Sequence, residues 1–235
     1  MTFAVPPSPF AWKSCEDAAR EFRTNGRTRL PGFLSKNEAA AYADAAIRAA
    51  MNGDLLRIER EAGWCENNPI EMPEPYRVWI ADAVALRDKF PALHAFADPI
   101  RLLAEMVVGR PVIGCPYPRS VATLMVYGPD DCHSTHRDSN PLTVTLNLRG
   151  PAAKIGDNAP PDVEPGTLAV FAGRELWHSV PEREGWKVTV NYNLYYPADT
   201  WRPEGRDDDV YGTNVGVKQT PSVYRLPRTD FHGGC

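Results

Sequence analysis

Three of the chain's five histidines stand where they could do chemistry: His133 and His136 in the segment CHSTHRD, and His178 in ELWHSVP. In His136-Arg137-Asp138 an imidazole and a carboxylate stand at i and i+2, which an extended backbone turns to the same face. A borderline nitrogen donor beside a hard carboxylate oxygen can fill two adjacent positions of a divalent metal. A second imidazole from a neighbouring strand completes a 2-His-1-carboxylate face, a set that suits non-haem Fe(II) and leaves positions open. His178 follows the β-like run GTLAVFA and is the candidate third ligand. Alone, HRDSNP also reads as a surface turn; the order strand, HxD, strand, strand, His, strand is what favours a site. His133 is a rival to His136, and the HxD spacing favours His136. Arg137, between two ligands, points away from the metal toward the surface or a substrate rim. His94 and His232 have no polar neighbours of interest in the sequence.

A second cluster lies downstream. Lys187 opens the run KVTVNYNLYY, and alternation puts Lys187, Thr189, Asn191 and Asn193 on one face and Val188, Val190, Tyr192 and Leu194 on the other. A cation and a hydroxyl side by side toward a barrel interior would pair with a carboxylate; the alternative is an edge-strand lysine in solvent. Arg183 is a rival for that carboxylate, ranked below Lys187 because PEREG reads as a turn. Thr143, Thr145 and Asn147 share a face and either line the pocket or see water. Trp79, Tyr117, Trp177 and Trp201 could border a substrate, although aromatic side chains more often pack in a core. Cys132 has no separate base and orienter, which argues against a cysteine nucleophile.

The elements that must position these residues divide the chain in two. The first 110 residues read as a mainly helical flank, with helices over 14–22, 39–51 (opened by a capping box, Ser35 to Glu38), 78–87, 91–96 and 100–108, the last capped by Asp98-Pro99 and ended by Gly109. Residues 28–33 read as extended, 61–76 as a loop and 1–10 as a tail. Residues 111–196 carry the β-branched and aromatic runs VATLMVY, LTVTLNLR, GTLAVFA and KVTVNYNLYY, bounded by turn residues. An irregular segment, 197–235, includes a solvated acidic run at Asp207-Asp208-Asp209. The expected class is α+β with a mainly β core, one domain over 1–235, an antiparallel sandwich or barrel flanked by N-terminal helices.

Composition narrows the field. The chain has 235 residues, 23 prolines and 17 glycines, which suits short strands joined by tight turns. Its net charge of -4 speaks against a nucleic-acid partner. No stretch approaches about 20 consecutive apolar residues, so no membrane span is expected. MTFAVPPSPF has neither a basic n-region nor an apolar h-region, and the five cysteines are scattered, so the expectation is reduced thiols and a cytoplasmic location.

These motifs, in this order, resemble those of the iron(II)- and 2-oxoglutarate-dependent oxygenases. VYGPDDCHSTHRDS resembles the family's Tyr-x-Pro-Gly…HxD segment, with Asp130 where the glycine stands, and VEPGTLAVFAGRELWHSVPE resembles the stretch that carries its second histidine. Lys187-Val188-Thr189 is similar to the basic-x-hydroxyl motif that grips the distal carboxylate of the cosubstrate. LPGFLSKNEAAAY and DPIRLLAEMVVGRPV are similar to N-terminal segments of phytanoyl-CoA-hydroxylase-like and prolyl-hydroxylase-like members.

The resemblance covers most of residues 29–196. It implies a double-stranded β-helix (jelly roll), Fe(II) on His136, Asp138 and His178, and 2-oxoglutarate held by Lys187 and Thr189 with Tyr127 assisting and Asn147 on the pocket wall. It also implies O2 as oxidant, and the acidic chain with no basic stripe makes a small metabolite the expected substrate. Retention of Asp138 argues against the halogenase branch. A peptidyl substrate, a cupin-like metal protein that does not use 2-oxoglutarate, and a non-catalytic binding module are the alternatives. Oligomeric state has no signature in the sequence.

Overall fold

The computed structural model describes residues 12–60, 75–156, 163–202, 207 and 211. The expected tail over 1–10, nearly all of the 61–76 loop, His232, Cys65, Cys235, Asp208 and Asp209 lie outside the described residues. Among the described residues five α-helices and eleven strands follow in chain order: α1 (Trp12–Asn25), β1 (Arg27–Leu30), α2 (Lys36–Met51), β2 (Leu56–Arg60), β3 (Tyr76–Ala81), α3 (Ala83–Lys89), α4 (Pro91–Ala95), α5 (Ala97–Val108), β4 (Ile113–Gly114), β5 (Ala122–Tyr127), β6 (His133–His136), β7 (Leu142–Arg149), β8 (Lys154–Ile155), β9 (Leu168–Phe171), β10 (His178–Val180) and β11 (Lys187–Tyr195).

The strands pair antiparallel into two sheets. The larger runs β1-β9-β7-β11-β5-β3-β2, with β4 joined to β11, and the smaller runs β6-β10-β8. This is the expected jelly roll with helices packed on it. The alternation read for β11 holds: Val188, Val190, Tyr192 and Leu194 join Val144, Leu146 and Leu148 of β7 in the main apolar core. The opposite face, carrying Lys187 and Thr189, turns to the interior between the sheets.

α2 supplies the cover. Ser35 accepts from the Glu38 N–H while the Glu38 carboxylate accepts from the Ser35 N–H, so the capping box forms as read. Ala39, Ala43, Ala46 and Ala50 are buried at helical spacing, and such small side chains let the helix lie close on the sheet.

Four expectations change. The N-terminal half also supplies strands β1, β2 and β3 to the larger sheet, so it is not simply a helical flank. The stretch read as a helix over 78–87 is a strand up to Ala81 and a helix only from Ala83: Tyr76, Val78 and Ile80 alternate inward, and the Asp82 carboxylate caps the new helix by accepting from the Ala85 N–H. Asp98 is not a cap. It sits inside the first turn of α5, whose N-cap is Phe96 with no side-chain bond. The acidic run is also not wholly solvated, because Asp207 pairs with Arg202, whose side chain is nearly buried, and accepts from the Ser120 hydroxyl.

Gly166 ties the N-terminal half to the sheet. Its N–H donates to the Asn147 carbonyl at 2.7 Å and its carbonyl accepts from the Leu34 N–H at 3.1 Å. Its φ is +87°, and a Cβ there would lie 2.1 Å from the Leu34 carbonyl oxygen. Gly53, with φ +78°, would meet nothing within 4 Å. We therefore expect Gly166→Ala to cost about 2–3 kcal/mol or more and Gly53→Ala about 1 kcal/mol. Thermal unfolding of the two variants checks this, and equal melting shifts would remove the clash as the cause.

Candidate metal centre

His136 ends β6 and His178 begins β10, and the two are cross-strand partners. Pairing alone places both imidazoles on one patch of the interior, with ring centroids 4.2 Å apart. Asp138 lies past the end of β6, so strand alternation does not position it. Its N–H donates to the Gly173 carbonyl at 2.9 Å, which fastens the HxD segment to the turn after β9.

The donor atoms converge. Asp138 Oδ1 lies 3.7 Å from His136 Nε2 and 3.4 Å from His178 Nε2. One donor from each residue falls within 4.8 Å of the others. Metal bonds of about 2.0–2.2 Å at right angles put adjacent donors about 3 Å apart, so these distances suit a divalent ion after a small contraction.

The far side of each ligand is already committed. His136 Nδ1 lies 2.7 Å from the Ser134 carbonyl, and His178 Nδ1 lies 3.0 Å from the Leu176 carbonyl. A proton on each Nδ1 satisfies those carbonyls and leaves Nε2 as the metal-facing lone pair, the usual outer support of a ligating histidine. On the carboxylate, Thr143 donates to Oδ2 and itself accepts from Asn140 Nδ2 at 2.7 Å. Oδ1 is thereby left facing the histidines.

Burial pushes the Asp138 carboxyl toward its neutral form. His178, His136 and the Thr143 hydroxyl overcome that and hold it well below the usual carboxylate range. His178 is shifted the other way: burial lowers its pKa, but Asp138 outweighs this and raises it. The centre is thus a permanent anion facing two imidazoles, which fits a divalent cation.

His133 falls outside the donor cluster. It stacks on His136 with centroids 3.8 Å apart and on Tyr76 at 4.1 Å, so it packs beside the ligand. Arg137 turns away, its guanidinium 4.5 Å from the Trp177 ring centre. Sequence reasoning missed Asn140 and Gly173 as parts of the support. A Cβ at Gly173 would lie 2.5 Å from Thr143 Oγ1 and 2.8 Å from Asp138 Oδ2, so the close approach needs glycine. A glycine directly after a β run was the available signal.

Beside the centre, the inner face of the larger sheet carries the second cluster. Lys187 pairs with Tyr127, and Thr189 with both Met125 and Asn147. Lys187 is fully buried, its Nζ donating to the Pro151 carbonyl. Desolvation, with the Arg183 charge adding to it, pulls its pKa down to about 7. Burial raises the Tyr127 phenol. Thr189 donates to the Leu146 carbonyl at 3.1 Å, and both Asn147 N–H groups go to backbone carbonyls, of Gly150 and Val163. Thr145 Oγ1 donates to Asn191 Oδ1 at 2.9 Å on the same wall.

No family model and no curated protein matches the sequence. Solved structures do. SnoN, a non-heme α-ketoglutarate-dependent epimerase from nogalamycin biosynthesis solved with Fe3+, α-ketoglutarate (2-oxoglutarate) and nogalamycin RO, superimposes with a TM-score of 0.58 at 14% identity, over 92% of this chain and 96% of its own. A Pseudomonas putida prolyl-4-hydroxylase does so at 0.52 and 15%, covering 77% and 99%. A Trichoplax adhaerens prolyl hydroxylase, in complex with a hypoxia inducible factor oxygen degradation domain peptide, gives 0.57 and 14%, covering 82% and 96%.

The chain has the fold of the iron(II)- and 2-oxoglutarate-dependent oxygenases. Within that fold, the triad sits where the smaller sheet meets the turn after β9, and the buried lysine lies on the facing sheet.

Support of Asp138 by Thr143 and Gly173 is directly testable. Gly173→Ala and Thr143→Val should each weaken Mn(II) binding about tenfold to a hundredfold, as read by titration calorimetry. Unchanged affinity in both variants would place Asp138 outside the metal's coordination.

Proposed function

We propose that the protein is an Fe(II)- and 2-oxoglutarate-dependent oxygenase that hydroxylates a C–H bond of a small metabolite, such as an amino acid or a natural-product intermediate. The observation that carries this is the triad itself, with both Nδ1 atoms and Asp138 Oδ2 committed to the protein and three donors facing one another. His136, Asp138 and His178 would hold the iron, and 2-oxoglutarate would occupy the space toward Lys187. Together with O2 they supply oxidation of an unactivated C–H bond, with succinate and CO2 as co-products.

The chain's own part is binding and orientation. Once protonated, Lys187 gives the distal carboxylate an ammonium partner in a dry interior, where charge pairing is far stronger than in water. The Tyr127 phenol, kept neutral by burial, remains a donor at the same wall. Thr189 would have to release the Leu146 carbonyl to donate to the cosubstrate, and Asn147 would have to release the loop carbonyls it holds. The polar pair Thr145 and Asn191 offers hydrogen bonds to a small polar substrate.

A buried lysine with a pKa of about 7 gives this reading a pH signature. At pH 6 the ammonium is already charged before a dicarboxylate arrives. Above pH 7 it must first take up a proton, and the bound carboxylate raises its pKa. The affinity for 2-oxoglutarate should therefore fall up to about tenfold per pH unit above pH 7, with net proton uptake, and Lys187→Ala should abolish the trend. Calorimetry in buffers of different ionisation enthalpy measures both. Affinity that is flat with pH and indifferent to Lys187→Ala favours a metal protein that does not use this cosubstrate.

For turnover, protein supplied with Fe(II), 2-oxoglutarate, O2 and a panel of amino acids and small polycyclic metabolites should form succinate well above a His136→Ala control. Succinate only with proline-containing peptides would move the substrate class to peptidyl residues. No difference from the control across both panels would remove the enzymatic reading.

A further inference from the structure

The inner wall has fewer available donors than its composition suggests. Thr189 and Asn147 spend theirs on backbone carbonyls, and Lys187 spends one of its three on Pro151. Arg183 is different. Among the described residues its Nε and Nη1, both buried, meet no hydrogen-bond partner, and only Nη2 is engaged, with the Pro181 carbonyl. An unpartnered buried guanidinium nitrogen is costly, and a protein keeps one where a ligand satisfies it.

The position of Arg183 is built in. Its carbonyl accepts from the Asp130 N–H at 3.0 Å, which locks the loop between β10 and β11 to the turn that follows Tyr127. Asp130 holds that turn with φ +62°, a left-handed conformation that aspartate tolerates better than most residues. The guanidinium lies 5.7 Å from the centre of the Tyr127 ring, and Tyr127 is the cross-strand partner of Lys187. Nearby carboxylates are taken: Asp131 by Arg57 through two bonds of 2.7 Å, and Glu182 by Arg77 at 2.8 Å. Arg183 therefore brings a second cation to the wall that holds Lys187, with no ion pair of its own among the described residues. Its charge is felt there, contributing to the lowered pKa of Lys187.

We infer that Arg183 is a second ligand for the distal carboxylate of 2-oxoglutarate, its Nε and Nη1 completing with Lys187 and Tyr127 a dicationic pocket. This rests on the cosubstrate assignment made above. A carboxylate offers two oxygens, and Nε with Nη1 presents the adjacent pair of N–H groups that such a group accepts side by side. Lys187 would then act as a point charge beneath, and Arg183 would fix the orientation.

The test compares two ligands on the Mn(II)-loaded full chain by calorimetry: 2-oxoglutarate, and 2-oxopentanoate, which has the same 2-oxo acid head and chain length but ends in a methyl group. Arg183→Gln should weaken 2-oxoglutarate about tenfold to a hundredfold and leave 2-oxopentanoate and Mn(II) affinities within about twofold. Arg183→Lys should lie between, because it keeps charge without the fork, and it is read on the same scale if the glutamine variant fails to hold Mn(II). Equal loss for both ligands, or no loss for either, overturns the role of Arg183. Wild-type protein that binds Mn(II) but does not prefer 2-oxoglutarate over 2-oxopentanoate overturns the cosubstrate assignment itself.

Discussion

The carboxylate of Asp138 is kept in the interior against a desolvation cost of several kcal/mol, which is tolerable only if every lost hydration partner is replaced. One oxygen receives the Thr143 hydroxyl, the other faces two imidazoles, and the residue's own N–H is fixed by Gly173. Each replacement makes a demand elsewhere. Thr143 must point inward from β7, where it pairs with Phe171. Gly173 must lack a side chain, and the Ser139 carbonyl beside it is held by Arg174, which is anchored in turn by Asp199. The turn after β9, the start of β7, the segment after β6 and the segment after β11 are thus bound into one unit around a single charge.

The larger sheet solves a related problem. β7 and β11 are buried on both faces, yet only one face is apolar. Period-two alternation lets the same strands donate valines and leucines to the core under α2 and polar side chains to the interior. The apolar face does the stabilising work, at about 25 cal/mol for each Å² removed from water, and so permits a lysine, three threonines and three asparagines on the other. A one-residue register slip would exchange the two faces and bury the charges in the helix-facing core. That penalty makes register here strongly specified.

The parts of the site that follow from strict local rules were legible in the sequence. The strands β5, β7, β9 and β11, the capping box at Ser35 and Glu38, and the inward face of β11 depend only on spacing and residue type. Asp138 illustrates the limit: alternation pointed to the right residue for the wrong reason, since the carboxylate is aimed by a long-range hydrogen bond to Gly173. The strand at Tyr76–Ala81 was obscured because YRVWIADAVALR places a strand and a helix back to back, with the switch made by one aspartate cap. Asp98 misled in the opposite way, as Phe96 already ends α4 and opens α5, leaving no vacant cap. Arg183 looked like a turn residue because it is one. Only the tertiary fold shows that the turn lies against Tyr127.

A lysine at 187, rather than an arginine, makes physical sense beside Arg183. Two guanidinium groups in one dry pocket would both remain charged at any ordinary pH, and their repulsion could not be relieved without an anion. An ammonium can shed its proton, and desolvation with the neighbouring Arg183 charge brings Lys187 to about 7. If 2-oxoglutarate binds as proposed, the pocket carries one fixed charge when no dicarboxylate is bound and two when one is. Pairing a permanent cation with a titratable one keeps the fold from being destabilised by its own binding site, and it gives the full attraction only to a ligand that brings its own negative charge. The proposed preference for a distal carboxylate over an apolar end would therefore be set by the protonation chemistry of the wall as well as by its shape.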